Sequence, residues 1–238
     1  MRLMDNPFDF FDKIFYINLD SRTDRRKLME EQFQRFGIKA ERFPAVSLTK
    51  EDNDDLVARG CKFYDDERPE YAPRIKSCTL SHLTILFRAK IMNYKNILIF
   101  EDDAVIDEGV FENLSKCIID LEKVDWGIFY LGCNPLEYFK ETEYLGRVKR
   151  ATTTHCLALN SSFYDEILNN VSFFRYYPCI DGYYGNLGFN KEGKIYMSLK
   201  NLVYQRSDFS DIEGHEVDYK LLIDSHYEEN IIDRPEGW

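Results

Sequence analysis

The feature that most constrains the fold is a short apolar strand pattern set between two amphipathic helix patterns. Asn96–Phe100 ends in four consecutive apolar residues and predicts a buried strand. Residues Ser77–Asn93 before it and 108–123 after it carry apolar residues at helical spacing. A buried strand that alternates with helices along the chain is typical of α/β proteins, in which helices cover a parallel sheet.

The same alternation begins near the N-terminus and continues through most of the chain. Lys13–Leu19 predicts a buried strand, a helix pattern runs from about Thr23 to Phe36, and Arg42–Val46 predicts the next strand. Further predicted strands lie at Trp126–Leu131, 144–150, 154–159, Lys194–Met197 and Asn201–Tyr204, and further helices at 50–58, 162–170 and 180–188. We therefore expect one α/β domain over residues 1–238, with a single, mostly parallel central sheet flanked by helices.

Negative charge is concentrated in the C-terminal part of the chain. The 238 residues carry a net charge of −11, and residues 207–238 hold ten Asp or Glu against Lys220 and Arg234, which is a net of −8. We expect this range to form an acidic tail. A negative net charge disfavours nucleic acid as a partner, because nucleic-acid binders usually show a basic excess.

No segment of the sequence predicts membrane insertion or export. No apolar run approaches 18 residues, and Asp5, Asp9 and Asp12 interrupt the N-terminal apolar stretch, so we expect neither a transmembrane helix nor a signal peptide. The six cysteines include no Cys-x-x-Cys pair, which favours reduced thiols over a zinc ribbon or a thioredoxin-like site. These features predict a cytoplasmic protein.

Three consecutive carboxylates, Glu101, Asp102 and Asp103, directly follow the strand predicted at Asn96–Phe100. Ligands of open α/β sheets bind at the carboxyl ends of strands. Three adjacent negative charges are costly there unless a cation compensates them, and carboxylate oxygens suit Mn²⁺ or Mg²⁺, which often bridge diphosphates. The alternative is a solvated turn that caps the next helix.

A second polar cluster, Asn18–Arg26, joins the first predicted strand to the first predicted helix. The N-terminus of a helix favours an anion, and Arg22, Arg25 and Arg26 add guanidinium groups whose geometry suits phosphate. The alternative is that these arginines form ion pairs on the helix surface. Their nearby carboxylates are those of Asp20, Asp24, Glu30 and Glu31.

Two further candidates are single residues. Asp181 stands at a predicted helix start, where it would act as an N-cap or as a carboxylate base. His82 follows Ser81 on the helix pattern Ser77–Asn93, where core packing is the alternative to a role in a site. The sequence has no Gly-x-Gly-x-x-Gly, P-loop or Gly-x-Ser-x-Gly motif, which disfavours nicotinamide-dependent dehydrogenases, P-loop NTPases and α/β-hydrolases.

Taken in order, these segments resemble glycosyltransferase family 25, the group of lipopolysaccharide-biosynthesis and collagen β-galactosyltransferases. The resemblance covers about residues 13–214 and departs from the family pattern at Ser77 and at Cys156–Asn160. Its main segments are Ile17–Arg26, Arg42–Val46, Cys78–His82 and Ile97–Ala104. Weaker matches are Trp126–Gly132, Ile180–Asp181 and Gln205–Ile212.

The resemblance implies a GT-A fold, a UDP-sugar donor, bound Mn²⁺ or Mg²⁺, and inversion at the anomeric carbon. It implies that Ser81 and His82 support the donor pocket and that Asp181 is the catalytic base. The residues that it places beside the nucleotide are Asn18, Leu19, Arg22 and Arg25. The residues that it assigns to the metal and the diphosphate are Glu101, Asp102 and Asp103. A further metal ligand near the C-terminus would be His215, with His226 and His155 as the alternatives.

These implications predict a metal-dependent inverting hexosyltransferase. It would move galactose or glucose from a UDP-sugar to a hydroxyl of a glycan or glycoprotein acceptor. A bacterial or virus-encoded enzyme agrees best with the expected cytoplasmic location. Two alternatives remain open: a catalytically silent member that only binds a nucleotide sugar or a glycan, and a glycoside hydrolase that uses two carboxylates and needs neither metal nor nucleotide.

Overall fold

The computed structural model describes residues 4–59, 71–169, 179–187, 194–212, 214–218 and 230–234. Its strands are β1 (Lys13–Asn18), β2 (Ala40–Pro44), β3 (Asn96–Glu101), β4 (Ala104–Ile106), β5 (Ile128–Lys140), β6 (Leu145–Asn160), β7 (Ile195–Ser198), β8 (Val203–Gln205), β9 (Asp208–Phe209) and β10 (Glu216–Val217). Its helices are α1 (Thr23–Arg35), α2 (Lys50–Ala58), α3 (Ala72–Ile91), α4 (Val110–Leu121), α5 (Tyr164–Asn169) and α6 (Ile180–Leu187). Short 3₁₀ helices lie at Pro7–Phe10 and Ser161–Phe163.

Six strands form a central sheet in the order β2-β1-β3-β6-β5-β7. Strand β1 is parallel to β2 and β3, and β5 is parallel to β7, whereas β6 is antiparallel to β3, β5 and β7. Five of the six strands therefore run in one direction. The predicted α/β architecture, with a mostly parallel central sheet flanked by helices, is confirmed.

Helices cover both faces of the sheet, and the alternation of side chains in the strands explains why. In β3, Leu98 and Phe100 belong to one hydrophobic cluster, which includes residues of α1 and α4. The intervening Ile97 and Ile99 belong to a second cluster, which includes residues of α3 and α6. Because every residue from Ile97 to Phe100 is fully buried, this strand carries an unbroken apolar run.

Helix α3 and strands β5 and β6 differ in extent from the sequence prediction. Strand β5, predicted at Trp126–Leu131, continues to Lys140. Helix α3 begins at Ala72 rather than near Ser77, and Pro73 lies in its first turn. Proline is tolerated there because the first N–H groups of a helix have no intrahelical partner. The two strands predicted at 144–150 and 154–159 form the single strand β6, whose pairing with β5 contains several shifts of register.

The predicted acidic tail returns to the body of the protein in the parts that the structure describes. Just before the tail, strand β8 pairs with β4, and within the tail β9 and β10 form a two-stranded ribbon. Residues 230–234 run beside β5, where the backbone N–H of Tyr138 donates to Asn230 and its carbonyl accepts from Ile232. The tail is thus partly structural, which its composition alone does not predict.

The described cysteines are free thiols, in agreement with the expectation of reduced cysteines. They are Cys78, Cys117, Cys133, Cys156 and Cys179; Cys61 lies outside the described residues. Among the helices that the structure describes, none combines the length and the apolar character that crossing a bilayer requires.

Helix α6 approaches β6 closely because Gly185 has no side chain. A Cβ atom at Gly185 would lie 2.0 Å from the carbonyl oxygen of Ala151 in β6, far inside van der Waals contact. Elsewhere on the same helix, a Cβ at Gly182 would lie 3.3 Å from its nearest neighbour, the sulfur of Cys179. The close approach at Gly185 holds the N-terminal end of α6, including Asp181, against β6.

We predict that Gly185→Ala lowers the free energy of unfolding by about 2–3 kcal/mol, because α6 must move away from the β6 backbone. Gly182→Ala is the matched control, and we expect it to change stability by less than about 1 kcal/mol. Urea titrations followed by circular dichroism measure both values. Equal effects of the two substitutions would contradict the packing described for Gly185.

Candidate active site

A cavity of about 740 Å³ opens at the carboxyl ends of β1, β2 and β3. The start of α3, the start of α6 and the segment Phe209–Ile212 complete its walls. Parallel strands end at the same edge of a sheet, so segments distant in sequence meet there. The cavity lies where ligands of α/β sheets usually bind.

Asp102 is held from two sides at the floor of this cavity. Its Oδ2 accepts a hydrogen bond of 2.7 Å from Nδ2 of Asn18, and its Oδ1 accepts one of 2.9 Å from Nη1 of the buried Arg25. Burial raises the pKa of Asp102, although the charge of Arg25 and these hydrogen bonds oppose the rise. Both carboxylate oxygens of Asp102 therefore have a partner within the protein.

Among the residues that the structure describes, one carboxylate oxygen of Asp103 has no hydrogen-bond partner. Its Oδ2 accepts a hydrogen bond of 3.1 Å from Nε2 of Gln205, whereas its Oδ1 is buried and has no partner in this part of the chain. Burial, and then the negative charge of Glu101, raise the pKa of Asp103 to about 7. A carboxylate in this state gains from any cation that reaches it.

Glu101 is stabilised as an anion in the same cavity. Burial opposes its ionisation, but hydrogen bonding and charge attraction from His82 and a hydrogen bond from Thr154 bring the pKa of Glu101 below its usual value. Oε1 of Glu101 lies 2.5 Å from Oγ1 of Thr154 and 3.3 Å from Nε2 of His82. The pKa of Glu101 is therefore lowered by its neighbours, whereas the pKa of Asp103 is raised by burial and by the charge of Glu101.

Asp181 is the second residue of α6 and lines the cavity. Its Oδ1 accepts a hydrogen bond of 2.7 Å from the N–H of Gly182, and its Oδ2 accepts one of 3.3 Å from the N–H of Thr153. Thr153 has a φ of 65°, which is rare for a β-branched residue. This strained backbone lies directly against the carboxylate of Asp181.

Arg25 and Arg22 hold the first part of the tail next to the cavity. Arg25 donates from Nε to Asp208 at 3.2 Å and from Nη2 to the carbonyl of Phe209 at 2.8 Å. Arg22 forms ion pairs with Asp211 and, at 3.1 Å, with Asp24. The ion pair of Arg22 with Asp24 is one of the surface pairs that the sequence allowed. The other two pairs, Arg22 with Asp211 and Arg25 with Asp208, connect helix α1 to the tail.

Ser81 contributes to the cavity through the backbone of its wall. Its hydroxyl donates to the carbonyl of Ser77 at 2.7 Å and accepts from the N–H of Val46 at 2.9 Å. The hydroxyl of Ser77 likewise accepts from the N–H of Leu48 at 2.9 Å. These two serines of α3 fix the segment that follows β2.

Neither His215 nor His155, two of the histidines that the resemblance offers as a further metal ligand, lines the cavity. His215 is exposed and does not line the cavity. His155 is fully buried, its Nε2 lies 2.9 Å from the carbonyl oxygen of Val203, and burial lowers its pKa to about 4. His226 lies outside the described residues.

The structure brings most of the predicted site residues to one cavity. Arg22 and His215 do not line it. Those that do are Asn18, Leu19, Arg25, Ser81, His82, Glu101, Asp102, Asp103 and Asp181. Sequence reasoning assigned no role to Thr153, Thr154 or Gln205. Gln205 begins the weakly matching segment Gln205–Ile212, and the two threonines belong to a run of three at 152–154, where the second of two adjacent predicted strands begins.

Comparison with known proteins identifies a family whose profile matches most of this chain. The profile of glycosyltransferase family 25 (LPS biosynthesis protein) matches residues 11–190. A glycosyltransferase 25 family member of Drosophila pseudoobscura pseudoobscura is 32% identical over 127 residues, which are 51% of this chain and 20% of that protein.

Two further relatives differ in their described activity. Procollagen galactosyltransferase 1-A of Xenopus laevis is 30% identical over 129 residues, or 51% of this chain and 21% of that protein. Inactive glycosyltransferase 25 family member 3 of Homo sapiens is 27% identical over 139 residues, or 56% of this chain and 23% of that protein.

The chain spans about a fifth of the length of the curated relatives that it matches. The family profile, by contrast, extends from the start of β1 to beyond α6 and includes the cavity residues up to Asp181. Because the family profile matches well over half of the 238 residues of this chain, the chain belongs to glycosyltransferase family 25.

Proposed function

We propose that the protein is a metal-dependent inverting glycosyltransferase, which moves galactose or glucose from a UDP-sugar to a hydroxyl of a glycan or protein acceptor. The observation that carries the proposal is the buried, unpaired Oδ1 of Asp103 in a cavity that Asp181 also lines. Family membership supports glycosyl transfer as the reaction class.

The donor atoms in the cavity fit a divalent cation. Asp103 offers an oxygen without a partner among the described residues, and Glu101 adds a negative charge nearby, which raises the pKa of Asp103. Asp103 would hold Mn²⁺ or Mg²⁺, beside Asp102, because these cations prefer oxygen ligands. When bound there, the cation would supply positive charge to compensate the negative charge of the leaving UDP.

Asp102 supports this arrangement through its own contacts. Because Asn18 and Arg25 occupy both of its oxygens, Asp102 fixes the backbone from which Asp103 extends. Asn18 and Leu19 border the cavity where the nucleotide would lie. For Arg25 to bind a diphosphate, it would exchange its contacts with Asp208 and Phe209 for phosphate oxygens.

Asp181 would remove the proton from the acceptor hydroxyl. The N–H groups of Gly182 and Thr153 fix the two oxygens of its carboxylate in the cavity wall. A base held in this way takes the proton as the hydroxyl oxygen attacks the anomeric carbon, and the bond to UDP breaks on the opposite face. The configuration at that carbon is inverted by the single displacement.

A catalytically silent binding protein is the second candidate function. It is favoured by one observation, the similarity to a human relative named as inactive. Thermal stabilisation by UDP with Mn²⁺, without release of UDP from any UDP-sugar, would support this candidate. The presence of Glu101, Asp103 and Asp181 around one cavity favours the enzyme.

We predict that Asp103→Asn weakens the binding of Mn²⁺ in the presence of UDP by about tenfold or more and lowers turnover on the order of 100-fold, because the free carboxylate oxygen is lost. Isothermal titration calorimetry measures the binding. Glu112→Gln, which alters an exposed carboxylate of α4, is the control and should leave both values unchanged. Unchanged Mn²⁺ affinity in the folded Asp103 variant would contradict the metal assignment.

For Asp181→Asn, we expect binding of UDP and Mn²⁺ to persist while transfer falls by about 10²–10⁴-fold, which is the usual contribution of a general base. The comparison of calorimetry with the transfer rate separates binding from chemistry. If transfer survives in this variant, another carboxylate is the base, and Asp208 and Asp211 beside the cavity are the next to test.

A further inference from the structure

Cys78 and His82 form a potential metal-binding pair on α3. They are four residues apart, so their side chains project from the same face of the helix. Both line the cavity, as does Glu101 at the end of β3. The three residues therefore place a thiol, an imidazole and a carboxylate on one wall.

The separation of His82 and Glu101 matches a tetrahedral ion, and Cys78 lies close to both. The sulfur of Cys78, a ring nitrogen of His82 and a carboxylate oxygen of Glu101 all lie within 4.8 Å of one another. Nε2 of His82 and Oε1 of Glu101 are 3.3 Å apart. Two ligands bound at about 2.0–2.1 Å to a tetrahedral Zn²⁺ are separated by about this distance.

The surroundings of the three groups leave donor atoms for a bound ion. His82 is fully buried, and none of the described residues gives its Nδ1 a hydrogen-bond partner. Cys78 is a free thiol that lines the cavity. Thr154 donates to Glu101, as residues behind a metal ligand commonly do.

We propose that Cys78, His82 and Glu101 form a second cation site, which takes a thiolate-binding ion of the Zn²⁺ class and leaves its fourth position open to the cavity. On binding, the Cys78 thiol releases its proton to solvent and the sulfur forms a bond to the metal. This site differs in chemistry from Asp103, because a thiolate and an imidazole select softer ions than carboxylate oxygens do. It does not depend on the proposed transferase activity.

Titration of the intact, metal-free protein with Co²⁺ in a phosphine reductant tests this site. Co²⁺ replaces Zn²⁺ and gives a thiolate-to-cobalt charge-transfer band only when sulfur is a ligand. We expect the band at one equivalent of Co²⁺ in the wild-type protein and its loss in Cys78→Ser. Competition with Co²⁺ should show that Cys78→Ser binds Zn²⁺ about tenfold more weakly than the wild-type protein, or weaker still. Cys179→Ser, which alters another thiol of the cavity, is the matched control and should retain the band.

Asp103→Asn should also retain the band, because its carboxylate belongs to the other site. Circular dichroism confirms that each variant is folded, and Cys78→Ala provides a second substitution if the serine variant is not. The proposal is overturned if the wild-type protein gives no charge-transfer band, if the band persists without Cys78, or if it is lost in Cys179→Ser.

Discussion

The contact between Arg25 and Asp102 is the interaction on which the rest of the site depends. It joins α1 to the end of β3, and Arg25 also reaches Asp208 and the carbonyl of Phe209 in the tail. A buried charge that loses its partner typically costs about 3–5 kcal/mol. Because Asn18 occupies the other oxygen of Asp102, the ends of β1 and β3 and the start of α1 are held in one arrangement.

This arrangement gives the three consecutive carboxylates different states. Asp102 is committed to Arg25 and Asn18, Glu101 is stabilised as an anion by His82 and Thr154, and Asp103 keeps one unpaired oxygen. Three equivalent charges would repel one another strongly in a partly buried site. Their different partners explain how the chain tolerates them and why Asp103 is the residue best placed to bind a cation.

The periodic parts of the fold and the clustering of the cavity residues were predictable from the sequence. Asn96–Glu101 and Thr23–Arg35 match their predicted positions closely, because each buries a regular apolar pattern. The pairs of Arg25 with Asp208 and of Arg22 with Asp211 join residues more than 180 positions apart, so no local pattern reveals them. The positive φ of Thr153, which turns its N–H toward Asp181, is set by the irregular pairing of β5 with β6 and has no signal in the residue type.

The most direct measurement of the central claim is the release of UDP from a panel of UDP-sugars, with Mn²⁺ and with EDTA. The account predicts slow hydrolysis of one UDP-hexose that requires the metal and stops on chelation. Equal release with Mn²⁺ and with EDTA would contradict the metal-dependent mechanism. No release from any donor, together with no thermal stabilisation by UDP and Mn²⁺, would contradict the assignment of this cavity to a UDP-sugar.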